Sequence, residues 1–170
     1  MVVACPGWYP ERAMTSSSDM VKAAQAALHA PETRPTRRLA VVTCMDARVD
    51  PWRILRAGPG EINVIRNAGG VVTEDVIRSV FVSQRKLGTN KVMVLMHTDC
   101  GMEGADEGAI ADAAEEELGA QVDFPLGSFD EVQAELGRGV AALRNHPLII
   151  GTVTGAIYDV ASDAVHTLEI

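Results

Sequence analysis

Basic residues are in short supply: 15 Lys and Arg stand against 23 Asp and Glu, for a net charge of −8 and a pI near 4.9. A nucleic-acid footprint needs a basic face, so that class of partner is excluded. No apolar run approaches the ~20 residues needed to span a bilayer, which removes a membrane-crossing role. The N-terminus offers neither a basic leader nor a long apolar core, because Met1-Val2-Val3-Ala4-Cys5 is broken by Pro6-Gly7. That pattern speaks against a signal peptide and for a cytoplasmic location. Cysteine is scarce as well: three in 170 residues, an odd number that makes no disulfide framework.

What is present is ordinary for a globular chain, with 47% hydrophobic and 22% charged residues. The length suits one domain with a real core. Residues 1–37 read as a tail and helical arm, and 38–170 as a single α/β domain. Within the arm, the Ala-rich stretch 18–30 follows a Ser18-Asp19 cap and predicts a helix that Pro31 and Pro35 end. Such an arm would pack on a partner subunit. Cys5 is expected to be a free thiol and His29 a surface residue, and Met14 and Met20 are alternative starts.

Leu39-Ala40-Val41-Val42-Thr43-Cys44 is a continuous apolar, β-branched run and predicts a buried strand. Asp50-Pro51 opens a short helix carrying Trp52, Ile54 and Leu55, which Gly58-Pro59-Gly60 ends. Ile62–Asn67 is a second strand, closed by Ala68-Gly69-Gly70. Thr73 caps a helix with Glu74 and Asp75 in its first turn, and Val76, Ile77, Val80, Phe81 and Leu87 follow at helical spacing. Lys91–Met96 is the third strand. The acidic stretch from Glu103 to Gly119 predicts a helix with a solvated face. Ser128-Phe129-Asp130-Glu131 reads as a capping box for a helix burying Phe129, Val132, Leu136, Val140 and Leu143. Leu148–Tyr158 predicts a long fourth strand, with residues 165–170 pairing back as a hairpin arm. Strands alternating with helices imply a central parallel sheet with helices on both faces and an antiparallel edge strand.

Two stretches carry the chemistry. Cys44-Met45-Asp46-Ala47-Arg48 ends the first strand and His97-Thr98-Asp99-Cys100 the third. Two thiols and an imidazole are ligands zinc prefers, and three of them without a fourth Cys or His describe a catalytic rather than a structural site. In an open α/β sheet, sites form beyond the carboxyl ends of strands where the order reverses. A strand order of 2-1-3-4 would make the first and third strands neighbours and bring the two stretches into one crevice.

Cys-x-Asp-x-Arg and His-x-x-Cys, with Arg66-Asn67-Ala68-Gly69-Gly70 between them, resemble the β-class carbonic anhydrases, in particular their compact prokaryotic branch. The likeness runs from about Leu39 to Gly101 and more faintly to Tyr158-Asp159. It implies that Cys44, His97 and Cys100 bind Zn2+ and that zinc-bound hydroxide hydrates carbon dioxide reversibly to bicarbonate and a proton. It also implies that Asp46 either joins the metal as a conditional fourth ligand or pairs with Arg48 and orients the hydroxide. Asn67, Gly69 and Gly70 would leave room for a small substrate, while Thr98 and Asp99 would steady the ligands. Arg66 matches an arginine that in some relatives binds regulatory bicarbonate with a Trp and a Tyr; Val41 stands where that Trp would be. The family implies a homodimer or homotetramer with clefts at the subunit interface.

Taken singly, Cys44 reads as a small buried hydrophobe, Asp46–Arg48 as a surface ion pair and His97 as a strand-end residue. Their coincidence at adjacent strand ends favours the site. His146 and His166 lack such company, and Met93 and Met96 are core. Rival functions are a carbonyl sulfide or carbon disulfide hydrolase on the same scaffold, a non-catalytic zinc-binding module, and a Cys44–Cys100 redox dithiol.

Overall fold

Strand β1, Leu39–Cys44, lies inside the sheet, second from one edge, and is buried along almost its whole length, as its unbroken apolar run requires. The computed structural model describes residues 33–168. The expected helix over 18–30, Cys5, His29 and the alternative starts lie outside the described residues. After β1 come α1 (Pro51–Ile54), β2 (Ile62–Asn67), a 3-10 turn over Ala68–Gly70, α2 (Glu74–Lys86) and β3 (Lys91–His97). The chain continues through α3 (Glu107–Leu118), α4 (Val132–Asn145), β4 (Thr152–Asp159) and β5 (Ala164–Leu168).

The five strands lie in the order β2-β1-β3-β4-β5, parallel except for β5, which pairs antiparallel with β4. This is the expected α/β architecture with its antiparallel edge. The chain starts at β1, steps out to β2 and returns to β3 on the other side. The reversal therefore falls between β1 and β3, where a crevice opens beyond their carboxyl ends.

Each face of the sheet carries its own buried cluster. On one, Val42, Val94, Met96, Val153 and Ile157 pack against Val76 and Val80 of α2 and Val132, Leu136, Val140 and Leu143 of α4. On the other, Val41, Leu95, Ala156 and Tyr158 pack with Val49 and Ile62, and partly buried Ile54, Leu55 and Val160 lie against them. The β1–β2 connection carries a short helix. Asp50 caps Pro51–Ile54 through Trp52 and Arg53 N–H groups, and Arg56 at φ 48° and the Gly58-Pro59-Gly60 turn then redirect the chain. Helix α3 buries no residue, in keeping with its expected solvated face.

Two local expectations are corrected. Ser128 does not cap α4: its N–H and hydroxyl both bond Glu107, each at 2.7 Å. Helix α4 starts at Val132, whose N–H is accepted by Glu103 Oε1 at 3.0 Å, so the cap comes from a distant loop and Phe129 lies outside the helix. Strand β4 starts at Thr152 and not at Leu148, because Gly151 adopts φ 80° and packs directly on the Asn90 carbonyl. The Gln84 amide holds Ile150 there, donating to its carbonyl and accepting from its N–H.

Gly70 sits at φ 69°, where an added Cβ would lie 2.9 Å from Cys44 N and 3.0 Å from the Thr43 carbonyl carbon. The left-handed backbone and the overlap together should cost Gly70→Ala about 2–4 kcal/mol in a denaturant melt. A variant within about 0.5 kcal/mol of the parent, the usual range of surface changes, would show that the turn yields freely. Among the described residues, no helix is long and apolar enough to cross a membrane.

Candidate metal centre

Cys44 ends β1 and His97 ends β3, and the turn after β3 returns Cys100 toward both. Their ligand atoms all lie within 4.8 Å of one another, and all three residues are buried. The Cys44 and Cys100 sulfurs are 4.0 Å apart and unbridged. Two thiolates at about 2.3 Å from a tetrahedral zinc ion are separated by about 3.8 Å, so the spacing fits. His97 Nδ1 donates to the Thr98 carbonyl at 2.9 Å, which leaves Nε2 with its lone pair exposed to the thiols. That Nε2 is buried and has no hydrogen-bond partner. A buried acceptor of this kind is costly unless something binds it, and a cation beside two thiols is the natural occupant.

Electrostatics prepare the donors. Burial pushes the Cys44 thiol up, but His97 and the N–H groups of Asp46 and Gly69 outweigh it and bring the pKa to about 7. Cys100 is raised, chiefly by burial and then by the neighbouring Cys44 charge. Burial lowers His97, and its interactions with Cys44 and the Thr98 carbonyl more than reverse that.

Asp46 turns away from the donors and lies against Arg48. The guanidinium meets it through Nε at 3.1 and 3.3 Å and through Nη2 at 2.8 Å, and the Arg48 N–H adds a bond of 2.8 Å. Arg48 holds the Asp46 carboxyl down to about 2. The group is therefore charged from mildly acid pH upward and can only accept hydrogen bonds there. The stability it contributes is complete above the ordinary carboxyl range and is lost only as pH falls toward 2. Arg48 also reaches across the crevice, with Nη1 2.6 Å from Asp99 Oδ2 and Nη2 2.7 Å from the Asp99 carbonyl.

Further residues hold the two stretches in place. Arg66 donates to the carbonyls of Cys44, Asp46 and Val49 at 2.9, 2.7 and 2.9 Å, clamping the loop that carries Asp46 and Arg48. Its guanidinium is thus directed at main-chain oxygens. Thr98 receives the Val160 N–H at 3.1 Å and gives its own N–H to the Tyr158 carbonyl, tying the turn after β3 to the β4–β5 hairpin. The Arg66 clamp left no local trace, because its three acceptors are backbone atoms of another segment.

A cavity of about 240 Å³ opens beside the donors, lined among others by Met45, Asp46, Ala68, Gly69 and Met102. It is small enough to suit a ligand of a few atoms. Gly69 faces it. Gly70 backs onto Cys44 instead, and Asn67 bonds the Val71 carbonyl and borders a separate cavity of about 520 Å³ beside Phe124. That larger cavity holds no group of ligating side chains, so chemistry and not size selects the site.

A family model described as carbonic anhydrase matches residues 39–135. β-Carbonic anhydrase 1 of Mycobacterium tuberculosis is 38% identical over 130 residues, which cover 75% of this chain and 80% of that protein. A carbon disulfide hydrolase of Acidithiobacillus thiooxidans is 34% identical over 146 residues, 73% of each chain. The crystal structure of carbonic anhydrase from Streptococcus mutans superposes with a TM-score of 0.81 at 34% identity, covering 89% of this chain and 96% of the other.

Proposed function

The chain belongs to the β-class carbonic anhydrases, and on that basis we propose that it hydrates carbon dioxide reversibly to bicarbonate and a proton, using zinc. Cys44 and Cys100, as thiolates, and His97 through Nε2 would hold the ion. When bound, zinc supplies Lewis acidity and lowers the pKa of a water molecule so that it becomes nucleophilic. The observation that carries the reading is the Asp46 carboxylate, ionised, beside the donors yet held by Arg48. A structural metal site has no need of such a pair.

In this reading Asp46 accepts a hydrogen bond from the attacking water and so aims its lone pair at the substrate carbon. Arg48 keeps the carboxylate charged and turned away from the ligand sulfurs. Gly69, without a side chain, leaves space for the linear substrate, and Met45 and Met102 give it an apolar wall. The expected homodimer or homotetramer belongs to the same proposal.

Two thiolates cancel the charge of a divalent cation, so activity should develop at higher pH than at a three-histidine site, where the transition lies at about 7. We expect hydration to rise toward alkaline pH. Zinc uptake should fall as pH drops below about 7, because protons compete for thiols whose pKa values are near or above that value. A rate that stays flat down to mildly acid pH would count against this ligand set.

The likeness to carbon disulfide hydrolase supports a second reading, since the same donors could activate water toward carbon disulfide or carbonyl sulfide. Assaying the zinc-loaded protein with carbon dioxide and with carbon disulfide separates the two. Faster turnover of carbon dioxide is expected, and turnover of carbon disulfide alone would replace the first reading with the second.

A further inference from the structure

Arg48 is gripped from two sides, and only one of them is Asp46. Its side chain is 47% exposed, so a single ion pair in solvent would hold it loosely. Asp99 supplies the second grip, through Oδ2 to Nη1 at 2.6 Å and through its carbonyl to Nη2 at 2.7 Å. Nη2 therefore bridges Asp46 Oδ2 and the Asp99 carbonyl, while Nη1 is fixed by the Asp99 carboxylate. Asp99 lies between His97 and Cys100 and adopts φ 55°, a conformation unusual for any residue but glycine, asparagine or aspartate. The turn that delivers two donors thus also aims a carboxylate back across the crevice.

We infer that Asp99 is a positioning residue: by anchoring Arg48 to the turn after β3, it keeps Asp46 on Arg48 and off the metal position. Asp46 is two residues from Cys44, and a carboxylate released there is a good oxygen ligand for a cation with an open position. The inference rests on the proposed metal site and adds to it the residue that sets whether that position stays open. The Asp99 side chain is 77% exposed, so the grip should be worth no more than about fivefold in this balance, the upper range for exposed ion pairs.

The test uses the full chain loaded with cobalt(II), whose visible spectrum reports a small anion such as azide entering the open position. Asp99→Gly removes the carboxylate and relaxes the left-handed backbone, so it should leave the melting temperature equal or higher. It should weaken azide binding by about fivefold, because Asp46 now competes for the position. Asp99→Asn, which keeps an acceptor at Oδ1, should recover most of that loss. In an Asp46→Ala background, Asp99→Gly should change azide affinity by less than about 1.5-fold, within the additivity expected of uncoupled sites. Unchanged azide affinity in Asp99→Gly overturns the inference, as does an equal loss with and without Asp46. A parent chain that binds no cobalt at the three donors defeats the underlying metal-site reading itself, which separates the two failures.

Discussion

Cys44→Ser should leave the chain folded, without metal and without activity. Serine is nearly isosteric, and Cys44 is only 4% exposed at the end of a strand anchored on both sides by β2 and β3. A serine hydroxyl does not ionise near neutral pH, whereas the Cys44 thiol does so at about 7. The site then has one thiolate and one imidazole, too few to compete for zinc. Changes to the outer partners of metal sites already cost about 10–100-fold, so loss of a ligand should cost more than about 100-fold. Metal analysis, hydration assay and circular dichroism on one preparation check all three parts. A folded Cys44→Ser protein retaining one zinc per chain would remove Cys44 from the ligand set.

Arg48→Ala should have the opposite profile, keeping its zinc and losing its rate. Nothing in the donor cluster includes Arg48, so metal content should stay near that of the parent. Asp46 loses the partner that holds its carboxyl at about 2 and is free to turn toward the metal position. The expected fall in activity is about 10–100-fold, the range seen when an orienting partner is removed. Arg48→Lys should restore little, because an ammonium cannot make the paired contact with Asp46 and also reach Asp99. Full activity in either variant would mean that the Asp46–Arg48 pair is a surface ion pair and nothing more.

How far the sequence discloses this arrangement depends on the range of the interactions involved. The buried runs ending at Cys44 and His97 announce their strands because a strand covered on both faces must be apolar throughout. Thr73 announces α2 because its cap is local: the hydroxyl accepts from Val76 N–H three residues on. The switch point follows from strand order, and with it the meeting of the two motifs. Ser128 misleads because it carries a capping-box pattern while its hydroxyl is taken by Glu107, a competitor 21 residues away that no local rule contains. Leu148 and Ile150 mislead because they are apolar yet 50% and 45% exposed, and they precede the strand, with Ile150 held by Gln84 and Leu148 by His146.

At the site the same division applies. Cys44, His97, Cys100, Asp46 and Arg48 are legible as residue types at fixed spacing. The clamp of Arg66 on three carbonyls and the grip of Asp99 on Arg48 are tertiary, and only the left-handed turn at Asp99 makes the latter possible. An aspartate among the few residue types that tolerate that backbone was a faint signal of it.

We propose that one zinc ion, held by Cys44, His97 and Cys100, makes this chain a carbon dioxide hydratase. Stripping the metal and titrating zinc back while following carbon dioxide hydration by stopped flow tests it most directly. Negligible rate is expected without metal, with a linear rise that breaks sharply at one zinc per chain. A rate that is independent of zinc, or no rate above buffer at full occupancy, would contradict it.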